Sequence, residues 1–273
     1  MAKKLTLPDS KNKRALVAIA HADDLILFIG GTIAALVKAG WQIGVVRATD
    51  DRWDSYQLTE MATIKANQVE FDNAMAKIGV SKVFELGLST DLLADYSEVE
   101  LRKQFIRSIR EFKPYLILTF DPDSYLYEDN EDHKKVAAAM AEASWAAGFD
   151  KHPNSGVDQL PPYLPVAKWY FGRQVASPTH YFDVTKHLNN AIEAANEHKT
   201  MLTNMARQVE LKFQTLADNS NITIEFEKLL SKFAAKIMKS SRSKQIKGVE
   251  YAEIFRVIDD SEQIKKIVGL KER

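Results

Sequence analysis

The chain has 273 residues, 45% of them apolar, and its 37 basic side chains are balanced by 37 acidic ones. That length is within reach of one large α/β domain, and the even charge gives no footprint for nucleic acid. There is no cysteine, which excludes disulfides and thiolate sites, so any metal must be held by His, Asp or Glu.

The N-terminus carries Lys3, Lys4, Pro8, Asp9 and Ser10 and has no apolar stretch suited to a signal peptide. Residues 1–13 read as a tail and 14–273 as a single domain. No run approaches the ~18 apolar residues of a membrane span, and the absence of cysteine suits a reducing cytoplasm. Residues 15–20 (ALVAIA) predict a short buried strand. Residues 29–39 (IGGTIAALVKA) predict a helix entered through Gly30 and Gly31 and stopped by Gly40. Residues 43–48 (IGVVRA) give a second strand, followed by the polar loop TDDRWDS. Helical spacing over 59–78 ends at Gly79, and VFELG, 83–87, is a third strand. A helix over 98–112 is halted near Pro114, and YLILTF, 115–120, is a fourth strand, followed by DPDS.

The second half is less regular. Residues 134–147 form an Ala-rich helix, and 151–165, with four prolines, a long surface loop. KWYFG, 168–172, reads as a strand. Residues 188–239 read as mostly helical, broken by a turn near Asp218 to Asn221. Strands alternating with helices predict an α/β, Rossmann-like fold: a mainly parallel sheet flanked by helices, with a helical C-terminal elaboration. Ligands of such sheets sit beyond the carboxyl ends of the strands. Three polar clusters fall there: His21 to Asp24, Thr49 to Ser55, and Asp121 to His133.

In AIAHADD, His21 and Asp24 follow the first strand directly. Where the chain turns, both can reach one ion, as Zn²⁺ accepts imidazole nitrogen and carboxylate oxygen at about 2.0–2.2 Å. Asp23 between them supplies a base for a metal-activated water. The third ligand should come from another strand end, and the best candidate is His133 in EDNEDHKKV. Asp132 would orient His133 or a neighbouring group. The same residues also suit a plain polar turn and helix cap.

AHADD followed by GGT resembles the signature of the PIG-L/LmbE-like family of zinc-dependent N-deacetylases. TDDRWDS, then NQVEF and AKIGV, are similar to one branch of that family; LILTFDPDS, EDHKKV, EHKTML and YAEIFRV continue the likeness in order over residues 14–258. The resemblance implies His21, Asp24 and His133 as zinc ligands and Asp23 as general base. It implies an N-acyl substrate, an acetylated amino-sugar or related small molecule, and homo-oligomers are frequent in the family. Fe²⁺ shares the ligand set with Zn²⁺. No membrane or nucleic-acid partner is expected.

The chain departs from the family pattern at three points. Leu25 and Ile26 stand where many members have Glu. Asn130 stands where many have a first His, and it can donate a hydrogen bond but is no acid near neutral pH. Asn67 stands where some have a substrate-binding Arg. Asp51 and Arg52 are candidates for substrate contact or for a loop ion pair, and Trp53 for a pocket wall or ordinary packing. His198 either faces the site or is a core-edge histidine, and Glu253 reads as a structural partner. His152, His180 and His187 show no ligand spacing. The Lys-rich stretch 236–247 reads as a solvated helix end. Two further readings stay open: a zinc hydratase on the same scaffold, and a non-catalytic binding protein with a vestigial site.

Overall fold

A computed structural model describes residues 2–151, 160–216 and 225–269. Five parallel strands form its centre: β2 (Arg14–Ile19), β3 (Gln42–Thr49), β4 (Lys82–Leu88), β5 (Leu116–Phe120) and β6 (Ala167–Phe171). Their spatial order is β6-β5-β2-β3-β4. Residues 15–19 of β2 and all of β5 are buried, as near-continuous apolar strands must be when both sheet faces are covered. Four helices make the crossovers: α1 (Asp24–Lys38), α2 (Glu60–Ile78), α3 (Glu98–Phe112) and α4 (Glu131–Ala146).

The chain builds outward from β2 in two directions, with β3 and β4 on one side and β5 and β6 on the other. The segments leaving β2 and β5 therefore diverge and open a crevice between them. Open α/β sheets bind ligands at such a switch point. Here it is the exit of β2, at His21 to Asp24, and the exit of β5, leading to His133.

The parallel core matches the reading of the first half closely, and the elaboration beyond it is more varied than expected. Strand β9 (Val249–Asp259) lies antiparallel between β6 and β7 (His180–Asp183), and β8 (Ser243–Ile246) pairs with β9. Within the segment read as a tail, β1 (Lys3–Lys4) pairs with β7, and Leu5 is buried. Helices α5 (Leu188–Ala195), α6 (Lys199–Leu216), α7 (Phe226–Leu230) and α8 (Phe233–Arg242) supply the helical part, and α9 (Ser261–Ile267) follows β9. The turn near Asp218 to Asn221, residues 152–159 of the Pro-containing loop, and His152 lie outside the described residues.

Helix α1 differs from its expected form. It starts at Asp24, not Ile29, and breaks at Ile29, where φ is −135° and ψ 17°. Gly30 and Gly31 are thus inside the helix, where they permit close packing. A Cβ at Gly30 would lie 2.9 Å from Ala191 Cβ, and one at Gly31 only 2.6 Å from Val184 Cβ.

A break in a helix leaves carbonyls and N–H groups without partners. Here one buried ion pair takes them up. Arg242 donates to the carbonyls of Leu27 (2.8 Å) and Ile26 (3.4 Å). Glu253 accepts from the N–H groups of Gly31 (3.1 Å) and Thr32 (2.8 Å). The two side chains meet at 2.6 Å. Glu253 is thus the structural partner its sequence context implied. The reading of 236–247 as a solvated helix end fails at Arg242, which is buried because its charge is matched inside the fold. Glu253→Ala would strand a buried guanidinium and two N–H groups. Urea unfolding should show a loss of about 3–5 kcal/mol; a loss below about 1 kcal/mol would mean the break needs no such patch.

Candidate metal centre

The exit of β2 is shaped by one carboxylate. Asp24 Oδ2 accepts from the backbone N–H of His21 (2.7 Å) and Ala20 (3.1 Å), closing the turn onto the start of α1. Asp24 Oδ1 faces Nε2 of His133 at 3.2 Å. A second carboxylate braces the same turn from β3. Asp51, in left-handed conformation (φ 54°), accepts from the N–H of Ala22 at 3.2 Å and pairs with Arg47 at 3.1 Å. Arg47 is itself held by Glu85 and Gln68 and lies over the Phe71 ring.

His133 arrives from the other side of the crevice, in the first turn of α4. Asn130 caps that helix: its Oδ1 accepts from the N–H of Asp132 (2.9 Å) and His133 (3.3 Å). Asp132 does not orient His133. It reaches Nε2 of His21 at 3.3 Å, and its carboxylate is fixed by the N–H groups of Asp91 (2.7 Å) and Leu93 (3.1 Å). The carboxylate near His133 is Glu128, whose Oε1 lies 3.3 Å from Nδ1 as an ion-pair contact without hydrogen-bond alignment. Phe120 stacks on the His133 ring with centroids 4.0 Å apart.

Three potential ligand atoms therefore converge. His21 Nδ1 and His133 Nε2 are 3.2 Å apart and His133 Nε2 and Asp24 Oδ1 3.2 Å, while the other Asp24 oxygen, Oδ2, lies 3.6 Å from His21 Nδ1. A tetrahedral ion with bonds of about 2.0–2.2 Å requires ligand separations of roughly 3.3–3.6 Å. All three residues are buried, and their ligand atoms fit one ion. Two imidazoles and a carboxylate form a donor set suited to Zn²⁺ or Fe²⁺. A second group, His21, Asp91 and Asp132, shares His21 and uses its other nitrogen. The backbone bonds to Asp132 mark it as a brace for that ring.

The electrostatics also favour a cation. Asp23, Asp24, Asp51 and Asp132 are all buried within this small region. Burial, then the charge of Asp24, pushes Asp23 up to about 7. Burial raises Asp54 to about 6 and moves Asp51 well above the carboxylate range. Burial also works to raise Asp24, but His133 and His21 outweigh it and hold Asp24 below its ordinary value. For His21, burial is outweighed by Asp132 and Asp24, which raise it.

Asp23 and the three convergent residues line a cavity of about 380 Å³, together with Leu27, Phe28, Asp54, Asn130, Arg173 and residues of α6 and α8. Arg52 does not line it; its guanidinium is tied to Asp50 at 2.6 Å. Trp53 does not line that cavity either. Its ring is exposed, with Nε1 donating to Glu60. His198 is buried outside the cavity lining, with no partner on Nε2. Asn67 donates to the carbonyls of Asp51 and Asp54 and so pins the loop after β3. Leu25 and Ile26 are fully buried in the core.

Sequence reasoning missed Asp54 and Arg173 at the cavity, and Glu128 beside Nδ1 of His133. Asp54 and Glu128 stand inside stretches already marked as polar, so their position was the available signal. Arg173 follows β6 and had none.

The fold and site define an α/β protein whose buried His–Asp–His group is suited to a divalent metal. Residues 16–144 match the family described as PIG-L, GlcNAc-PI de-N-acetylase, which is the family the sequence motifs resemble. It is 28% identical over 178 residues to a 1D-myo-inositol 2-acetamido-2-deoxy-alpha-D-glucopyranoside deacetylase of Mycobacterium leprae; the match spans 56% of this chain and 56% of that protein. A diacetylchitobiose deacetylase of Thermococcus kodakarensis is 25% identical over 210 residues, 72% of this chain and 73% of its own. The solved N,N'-diacetylchitobiose deacetylase of Pyrococcus horikoshii shares the fold with a TM-score of 0.72 at 21% identity, covering 93% of this chain and 86% of that one. Among the described residues no helix is long and apolar enough to cross a membrane.

Burial, then the charge of Arg47, lowers His198 from 6.5 to about 4, so the ring is neutral at pH 7. The unfolded chain therefore holds the extra proton between pH 6.5 and about 4, and stability falls as pH falls through that window. Replacing His198 with Gln should remove on the order of 2 kcal/mol of that acid sensitivity. Thermal melts of both proteins across the window check this; parallel curves would refute it.

Proposed function

We propose that this protein is a metal-dependent amide hydrolase that removes an N-acyl group from an amino-sugar or related small molecule. His21, Asp24 and His133 hold the metal, and Asp23 is the general base. The observation that carries this is the convergence of the three ligand atoms beside Asp23 in one cavity. The deacetylase relatives supply the reaction class.

A divalent ion held there supplies Lewis acidity toward the amide carbonyl and makes water a nucleophile near neutral pH. The residues of the chain do the rest. Asp23 takes the proton of the attacking water and returns it to the leaving amine. Asp132 fixes the His21 ring by accepting from Nε2, which leaves Nδ1 for the metal. Asn130 spends Oδ1 on the helix cap and keeps its amide NH₂ as a donor for the oxyanion. Zn²⁺ is the favoured ion, with Fe²⁺ the alternative this donor set admits.

Metal analysis of purified protein should find roughly one Zn²⁺ or Fe²⁺ per chain, lost in His21→Ala and His133→Ala. Asp23→Asn should keep the metal and lose roughly 10²–10⁴-fold in turnover. Amine release from a panel of N-acylated glucosamines is the assay. Retained turnover in Asp23→Asn would remove it as the base. Hydration of an unsaturated acid without amine release would move the assignment to a hydratase. Asp132→Asn should weaken metal affinity roughly 10–100-fold, read by competition with a chelating dye; unchanged affinity would show that the His21 ring needs no such support.

A further inference from the structure

The lining of the cavity divides by origin. The metal end is built from strand-exit loops and helix starts: His21, Asp23, Asp24, Asp54 and His133. Helices α6 and α8 of the C-terminal elaboration contribute Met201, Met205, Ile237 and Met238, and the first half of α1 adds Leu27 and Phe28. Phe28 stands edge-on to the ring of His133 at 5.9 Å, so apolar lining begins directly beside the ligand group. Exposed Arg173, Gln208 and Ser241 complete the rim.

We infer that the acyl group removed at this site is an aliphatic chain longer than acetyl, seated against Met201, Met205, Ile237 and Met238. This rests on the N-acyl hydrolase reading. The carbonyl carbon held at the metal has two substituents. The amine side carries a hydroxyl-rich sugar, whose partners are carboxylates, amides and the rim polar groups. The acyl side carries only carbon and hydrogen, whose place is the apolar wall. A single methyl would cover little of the half-buried Leu27, Phe28, Met205 and Ile237 and leave their remaining exposed surface against water. A longer chain covers them. Three of the four wall residues from α6 and α8 are methionines, which are unbranched and adapt to flexible ligands. Water adds to the acyl carbon, the C–N bond breaks, and a fatty carboxylate and a free amine leave.

The test uses the metal-loaded full chain. Calorimetry with acetate, butanoate, hexanoate and octanoate reads the product side of the subsite without turnover. Affinity should rise roughly threefold to fourfold per methylene until the wall is filled. In parallel, kcat/KM for amine release should climb along the same series of N-acylglucosamines. Met205→Gln and Ile237→Gln, both half-buried and checked for an unchanged melting profile, should flatten both slopes. A flat or falling series alongside hydrolysis of N-acetylglucosamine would overturn this inference and leave the parent reading standing. So would a gain from an octyl chain placed on the sugar's anomeric oxygen that equals the gain from the acyl chain. Slopes untouched by either variant would also overturn it. Failure to hydrolyse any amide would overturn the parent reading, and this one with it.

Discussion

The candidate centre depends on one carboxylate being shared. Asp24 closes the turn after β2 with one oxygen and faces His133 with the other. The first task fixes the second. Because the backbone N–H groups of Ala20 and His21 hold Oδ2, Oδ1 is aimed across the crevice without further support. The switch point of the sheet then brings α4 to meet it. A carboxylate one atom longer would satisfy the turn only by moving away from His133. Metal-ligand geometry and local backbone geometry are therefore the same constraint at this residue.

The braces around it come from separate parts of the chain. Asp51 and Arg47 hold the turn from β3, while Asp132 holds His21 from α4 and is itself held by the loop after β4. Farther out, the Arg242–Glu253 pair spans the break in α1. That break separates the half of α1 bearing Asp24, Leu27 and Phe28 from the half that packs on α5 and the end of β7. The C-terminal elaboration thus completes a helix of the core sheet and also supplies one wall of the cavity. Burying this many charges is tolerable only because nearly every one is paired or hydrogen-bonded.

The parallel core was legible because its strands are short apolar runs bounded by Gly, Pro and polar clusters, a pattern set by local chemistry. His21, Asp23, Asp24 and His133 were legible because they follow two of those strands. The start of α1 was not. Gly30 and Gly31 look like a helix entrance in sequence, and only the approach of Ala191 and Val184 shows why glycine is needed there. For Asp132 the sequence left two partners open, His133 or a neighbouring group, and only the fold shows that it faces His21. Strands β7 and β9 escaped notice because each borders polar residues and owes its place to pairing across most of the chain's length. Arg242 sits in a Lys-rich run, and nothing local distinguishes a buried guanidinium from its solvated neighbours.

The three departures from the family pattern become physically intelligible in the fold. Leu25 and Ile26 are packed in the core, so neither position offers a carboxylate a path to the crevice. Asn67 is occupied with the loop after β3 and holds Asp54 at the cavity by its backbone, which turns a site for a substrate-binding cation into a brace. Asn130 trades an acidic proton for a strong helix cap, and that cap fixes the backbone carrying His133. The proton inventory of the cavity is thereby narrowed to its carboxyl groups. Of these, Asp24 is held as an anion by two imidazoles, and Asp54 stands on a loop outside the ligand triad. Asp23 is left as the group that both adjoins the ligands and holds a proton readily near neutral pH. In the proposed hydrolase, Asn130 in place of an auxiliary histidine would concentrate proton transfer on Asp23, and the rest of the site would keep that aspartate and the ligands in register.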